Sequence, residues 1–173
     1  MTLDLILAVF LADMSFTDYK YGKIRNNAVI AGILTAAVMR LTAGGDALAD
    51  GLAGGVTGLL TGFLFWKLHI FRAGDAKMLW MIGNFSGFSG FLSYFAAVIV
   101  MNGLIALVLM IAKGVLKERL YGIFLYFKGM VMLRTAYAYP VLKDDPVRLP
   151  MAPGAFAGVF LLLVMKAAGI TVN

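Results

Sequence analysis

The 173-residue chain is 62% hydrophobic and only 14% charged, with a net charge of +6, a composition far from that of a soluble domain. It predicts an integral membrane protein, and the length suits one compact helical bundle, a single domain over residues 1–173. The chain has no cysteine, which excludes disulfides, thiolate metal sites and a cysteine nucleophile, and one histidine, His69, cannot form a histidine metal centre alone. We therefore expect neither a metal nor a cofactor.

Apolar stretches along the chain predict an all-α fold, a polytopic bundle of about six transmembrane helices. The first stretch has no basic leader and no clear small-residue cleavage site, so we interpret it as a retained span and not as a signal peptide. The second and fourth are short for a hydrocarbon core of about 30 Å. The predicted spans are residues 3–17, 28–42, 47–68, 76–86, 88–112 and 151–168.

The third predicted span has a face of small residues, and such faces allow two helices to pack closely. We predict a packing role for this face. Its glycines are Gly51, Gly54, Gly55, Gly58 and Gly62.

Residues 117–134 combine an apolar core with Lys117, Arg119, Lys128 and Arg134. This mixture favours a helix that lies in the membrane interface. A seventh span is the alternative. Six spans leave both chain ends on one side of the membrane, whereas seven would place them on opposite sides.

The distribution of basic residues predicts the orientation. If the amino terminus is outside, 13 of the 15 lysines and arginines are cytoplasmic, and only Arg40 and Lys166 lie on the other side. This is a strong positive-inside signal. The positive net charge is therefore explained by topology, and we expect no binding of nucleic acid.

Two aspartates meet at one face under this topology: Asp18 at the cytoplasmic end of the first span and Asp75 at the cytoplasmic start of the fourth. Carboxylates at a bilayer boundary are costly and often functional. Two carboxyl groups held a few ångströms apart share a proton, so that one can accept a proton from water while the other polarises a peptide carbonyl. The pair predicts the chemistry of an aspartic protease.

Each aspartate also has a simpler interpretation. Asp75 follows Gly74 and precedes an apolar run, which is typical of a helix N-cap, although capping would not exclude catalysis. Asp18 could pair with the basic residues that follow it. Asp13, deeper in the first span, is a competitor for the catalytic role and otherwise a buried polar contact.

The remaining polar residues suggest no chemistry. We interpret His69 as an interfacial side chain. Four other aspartates look like solvated charges: Asp46, Asp50, Asp144 and Asp145.

Both aspartates and a later Pro-rich stretch lie in segments with recognisable motifs. Residues 18–26, Asp-Tyr-Lys-Tyr-Gly-Lys-Ile-Arg-Asn, resemble the first aspartate motif of the type IV prepilin peptidase family. Residues 72–79, Arg-Ala-Gly-Asp-Ala-Lys-Met-Leu, resemble the second, Gly-x-Gly-Asp-x-Lys-Leu-Leu. Residues 149–154, Leu-Pro-Met-Ala-Pro-Gly, resemble the Pro-rich start of its last helix. The order of the three is more specific than any one of them.

The resemblance implies an aspartic endopeptidase that removes the short basic leader of prepilins or pilin-like proteins at the cytoplasmic face of a prokaryotic cytoplasmic membrane. Asp18 and Asp75 would form the catalytic dyad. Gly74 would let the chain approach the substrate, and Lys77 would support the loop. Lys23 and Asn26, which match the flank of the first motif, would be further residues of the site.

The chain lacks the cysteine-containing zinc region of larger members and resembles the short Flp/Tad-type ones, which implies no methyltransferase activity. It departs from the motifs at two positions. Arg72 stands where the second motif begins with Gly, and Arg25 stands where the first has Pro. Either change could narrow the choice of substrate.

The implied partner is a membrane-anchored prepilin or pseudopilin within the lipid bilayer. Its helix would dock laterally, and the glycine face of the third span is the hypothetical docking surface. Two other functions remain open: a small transporter or channel that uses Asp13, Asp18 and Asp75 as a proton or cation relay, and an inactive assembly scaffold.

Overall fold

A computed structural model describes residues 1–68, 70–133 and 150–170, and all regular structure in these ranges is helical. The all-α prediction is confirmed for this part of the chain. Predictions for His69, Arg134, Asp144 and Asp145 lie outside it. The helices are α1 (Thr2–Tyr21), α2 (Asn26–Ala43), α3 (Gly45–Lys67), α4 (Ala73–Ala112), α5 (Leu116–Leu133) and α6 (Met151–Ala167).

Three helices, α2, α3 and α4, are long and apolar enough to cross a membrane, and α6 is a shorter apolar helix. The 20-residue α1 is long enough, but it carries the aspartates Asp4, Asp13 and Asp18. A membrane helical bundle fits these lengths. The number of spans stays a prediction.

The chain forms two units. One comprises residues 1–102 with 150–173, and it contains α1, α2, α3, α6 and most of α4. The other comprises residues 103–149, with the end of α4 and α5. The predicted helix near residues 117–134 is present as α5, and its interfacial location stays a prediction.

The helix α4 is interrupted at Gly87, whose φ of 77° and ψ of 173° lie outside the helical region. Glycine adopts positive φ without steric cost. The segments of α4 before and after Gly87 both pack along α3. They run in opposite directions relative to α3, so the chain reverses at Gly87. The facing pairs are Gly62 with Ala76, Gly58 with Leu79, Gly58 with Phe91, and Phe65 with Phe95. The reversal lies where the fourth and fifth predicted spans meet.

The glycine face of α3 is buried against α4. A side chain added at Gly54 would meet the backbone of Gly83 and Gly87, and one at Gly62 would meet Ala76. The predicted close helix packing is therefore confirmed. The prediction that this face docks a substrate helix is wrong, because α4 already covers it.

A buried arginine stabilises the reversal. Arg40 donates hydrogen bonds to the carbonyl of Phe85 at 3.0 Å and to Oδ2 of Asp50 at 3.0 Å, while Oδ1 of Asp50 accepts the N–H of Phe88 at 3.1 Å. A break in a helix removes intrahelical partners from the backbone groups on either side of it, and Arg40 and Asp50 bind the Phe85 carbonyl and the Phe88 N–H here. The prediction that Asp50 is merely a solvated charge is therefore wrong, because it forms an ion pair and caps the second segment of α4.

The helices α1 and α6 run antiparallel. Ala152, near the start of α6, contacts Asp18, whereas Lys166, at its end, binds Asp4 at 3.3 Å. Asp4 also accepts a hydrogen bond from Tyr94 and pairs with the amino terminus at 3.3 Å. The start of α1 and the end of α6 thus share one end of the unit, as an even number of passes requires.

Candidate active site

Asp18 lies in the last turn of α1, and its position is set by the end of that helix. Gly22 adopts a left-handed φ of 62° and donates its N–H to the carbonyl of Asp18 at 2.8 Å, which ends the helix. The Asp18 side chain is only 5% exposed, and its Oδ2 accepts the N–H of Ala152 at 3.2 Å. Within the described residues it forms no ion pair, so the structure gives no support to the ion-pair interpretation.

Asp75 is the third residue of α4 and is 8% exposed. Its Oδ2 accepts the backbone N–H of Arg72 at 2.9 Å, which is the reciprocal half of a capping box. The prediction that Asp75 is the N-cap itself is therefore wrong, since the helix begins earlier, at Ala73. The side chain still satisfies the helix start, but from inside the first turn.

Both aspartates line one pocket of about 330 Å³. They are close enough for their charges to interact. In the described part of the chain, one oxygen of each carboxylate accepts a backbone N–H and the other accepts no hydrogen bond. The pocket is lined by Asp18, Gly22, Lys23, Ile24, Asn26, Arg72, Ala73, Gly74, Asp75 and Lys77.

The structure brings all six predicted site residues to this pocket. Lys77 donates a hydrogen bond from Nζ to Oδ1 of Asn26 at 2.9 Å, which joins the second motif to the first. A Cβ added at Gly74 would lie 3.4 Å from Cβ of Ile24, an ordinary van der Waals contact, so Gly74 lies beside the segment between α1 and α2. Lys23 also lines the pocket.

Asp13 lies elsewhere. Nη2 of Arg25 donates to both of its carboxylate oxygens, at 2.9 and 2.7 Å, and the two residues line a different pocket of about 450 Å³. The side chain of Asp13 is 44% exposed, so its interpretation as a buried polar contact is wrong. The reason is that Arg25 pairs with it at the surface of the bundle.

The sequence did not reveal two features of the site. The first is the hydrogen bond from Ala152 to Asp18, and the only signal for it was the Pro-rich stretch that resembles the start of a last helix. The second is that Arg72 lines the pocket. Arg72 departs from the motif in the sequence, but only the structure places it in the same pocket as both aspartates.

A protein-family match covers the part of the chain that forms the pocket. Residues 5–112, more than half of the chain, match the type IV leader peptidase family. This range includes both aspartates and all the residues that line their pocket. No curated protein and no solved structure matches the chain. The chain therefore belongs to the type IV leader peptidase family.

Proposed function

We propose that the chain is an aspartic endopeptidase that removes the leader of prepilins or pilin-like proteins, with Asp18 and Asp75 as its catalytic dyad. One observation carries the proposal: two nearly buried carboxylates from distant segments line the same pocket in a member of a peptidase family. Burial and proximity favour a shared proton between two carboxyl groups.

The chemistry follows from one ionised and one protonated carboxyl group. The ionised aspartate accepts a proton from water as the water oxygen bonds to the carbonyl carbon of the scissile peptide. The protonated aspartate donates a hydrogen bond to the carbonyl oxygen and stabilises the developing charge. The aspartate that accepted the proton from water then donates it to the peptide nitrogen, the carbon–nitrogen bond breaks, and the leader leaves.

The backbone contacts of the dyad support this role. The N–H of Ala152 and the N–H of Arg72 each hold one oxygen of an aspartate. A catalytic group must be held close to its productive geometry by its surroundings. Backbone donors at helix starts provide such support, because packing of the helices fixes them.

The pocket lies at one end of the unit, where α1 ends and α2, α4 and α6 begin. We propose that this end faces the cytoplasm, because the positive-inside pattern of the sequence favours it and Arg40 and Lys166 lie at the opposite end. We propose six membrane passes: α1, α2, α3, the two antiparallel segments of α4, and α6. The substrate is then a single-span protein whose cleavage site emerges at the cytoplasmic boundary.

The relay alternative has less support. It needs Asp13, Asp18 and Asp75 along one path, but Asp13 is paired with Arg25 and lines a separate pocket. The aspartates at the pocket cluster at one end of the unit, whereas an ion pathway needs polar groups through the depth of the membrane.

The proposal is tested by co-expression with a pilin precursor encoded in the same genome. We expect the precursor to become shorter by its leader, and mass spectrometry to show an unmethylated new amino terminus. A precursor that keeps its leader in the presence of membrane-inserted, folded enzyme would contradict the peptidase role. A methylated amino terminus that depends on this chain would contradict the absence of methyltransferase activity.

A further inference from the structure

The pocket that holds the dyad has an excess of positive charge. Its lining contains three cationic side chains, Lys23, Arg72 and Lys77, and two carboxyl groups. If the two aspartates share one proton, the pocket carries a net charge of about +2. A substrate segment that enters it therefore meets a cationic environment.

Lys77 and Arg72 differ in how they are used within the chain. Lys77 is bound to the side chain of Asn26, a contact between the two motifs. The guanidinium of Arg72 forms no hydrogen bond or salt bridge with any residue that the structure describes. Only its backbone is held, because its N–H is bound by Asp75. The backbone of Arg72 is thus fixed next to the dyad, and none of its side-chain donors is bound by a residue in the described part of the chain.

A guanidinium in such a position is suited to bind a carboxylate. Its planar donors match the two oxygens of a carboxylate, and a charge-assisted pair is stronger than a neutral hydrogen bond. When substrate covers the pocket, Arg72 loses water and needs an anionic partner. We propose that Arg72 determines specificity by pairing with an acidic side chain of the substrate close to the scissile bond, an inference that rests on the proposed peptidase function.

The location of Arg72 favours a substrate carboxylate over a lipid phosphate as its anionic partner. Arg72 lines the same pocket as both aspartates, and its backbone N–H donates a hydrogen bond to Asp75 at 2.9 Å. A group that reaches Arg72 is therefore next to the dyad, where the scissile bond must lie. A lipid phosphate there would face two carboxyl groups and would block the site.

The test uses single-span reporter substrates that are identical except for Asp, Asn or Lys at one of the three positions on either side of the scissile bond. Each is cleaved by the wild-type chain, by Arg72→Gln and by Arg72→Glu in vesicles with and without phosphatidylglycerol. Lys67→Glu is the matched control, since Lys67 is an exposed cation at the end of α3 that does not line the pocket.

At one or more positions, we expect wild type to cleave the Asp reporter about tenfold more efficiently, in kcat/KM, than the Lys reporter, as for one charge-assisted pair. Arg72→Gln should remove this preference and Arg72→Glu should reverse it, while Lys67→Glu keeps it. A change in enzyme stability alone would lower all reporters equally and could not reverse their order.

Several results would overturn the inference. If Arg72→Gln keeps the wild-type preference, or if wild type cleaves the Asp and Lys reporters equally, Arg72 does not read substrate charge. An effect of Arg72→Gln that is equal for all reporters and appears only with phosphatidylglycerol would assign Arg72 to a lipid. These outcomes leave the peptidase intact, whereas a wild-type chain that cleaves no reporter would overturn the proposed function and this inference with it.

Discussion

At the scale of residues, the site is organised by contacts between segments that are distant in sequence. Lys77 and Asn26 belong to the two motifs, 51 residues apart, and their hydrogen bond joins the start of α2 to the first turns of α4. The bond is exposed, so its contribution to stability is small, but it fixes the two sides of the pocket relative to each other.

Substitutions of Lys77 and Asn26 should therefore have coupled effects on leader cleavage. We expect Lys77→Met and Asn26→Ala each to slow leader cleavage, and the double variant to be no slower than the worse single variant, because each change removes the same bond. The coupling should be about 0.5–1.5 kcal/mol. It is measured as a double-mutant cycle on kcat/KM. Strictly additive effects would show that the two residues act separately.

The second departure from the family motif, Arg25, retains the backbone geometry of the residue it replaces. Its φ of −73° and ψ of 124° are values that proline adopts, and it precedes the first residue of α2. The Arg25 side chain gains the exposed pair with Asp13, and such pairs contribute about 0–1 kcal/mol.

Arg25→Pro should accordingly be tolerated. The loss of the ion pair is offset by the reduced entropy of the unfolded chain, so the free energy of unfolding should change by less than about 1 kcal/mol. Unfolding of the detergent-solubilised protein by heat or denaturant checks this. Severe destabilisation would contradict this expectation and would show that the N–H of Arg25, or the ion pair with Asp13, contributes more than about 1 kcal/mol to the free energy of unfolding.

The resemblance to the family's motifs was sufficient to predict six residues that line the pocket. It could not show the bond between Ala152 and Asp18, because these residues are 134 positions apart and no local pattern reports such a contact. Asp50 was misinterpreted for a similar reason. Its role depends on a chain reversal at Gly87, and a single aspartate near a helix start does not reveal which backbone groups face it.

At the scale of helices, glycines decide how closely α3 and α4 pack. The regular glycine spacing in α3 predicted a close contact but not its partner, and the docking hypothesis failed for this reason. The change of chain direction agrees with the predicted spans, because the fourth ends at residue 86, the fifth begins at residue 88, and the helix is interrupted at Gly87.

Gly54→Ala should destabilise the fold. The added methyl group would meet the backbone of Gly83 and Gly87, which cannot move away as a side chain could. We expect a loss of about 1–3 kcal/mol, measured by unfolding in detergent. The control is Gly45→Ala in the same helix, where nothing lies within 4 Å, and its stability should be unchanged or slightly higher. Equal stability of both variants would contradict the packing described.

At the scale of the whole molecule, helix directions and the distribution of charge support the same orientation. In the unit of residues 1–102 and 150–173, Lys23 and Lys77 line the pocket with the dyad and Lys20 lies in the last turn of α1. The opposite end of this unit contains Lys166 with Asp4. The sequence predicted the division of basic residues from loop positions alone. The packing of α1 against α6 required the structure.

The orientation can be tested because the chain has no cysteine, so any introduced cysteine is unique. We expect Asp46→Cys, which is exposed at the start of α3, to react with a membrane-impermeant maleimide in intact cells. Lys20→Cys, exposed at the end of α1, should react only after the membrane is opened. The reverse pattern would place the dyad outside, and labelling of both in intact cells would contradict a membrane-spanning α2.

The most direct test of Asp18 and Asp75 as the catalytic dyad is leader cleavage by the variants Asp18→Asn and Asp75→Asn. Asp13→Asn and Asp46→Asn are controls, because they carry the same change at aspartates that do not line the pocket. Each variant must first be shown to insert and fold. We predict that both dyad variants lose leader removal and that both controls retain it within about threefold, as expected for exposed positions. The assignment of Asp18 and Asp75 would be contradicted if either dyad variant still cleaved the leader. It would also be contradicted if Asp13→Asn alone lost leader cleavage.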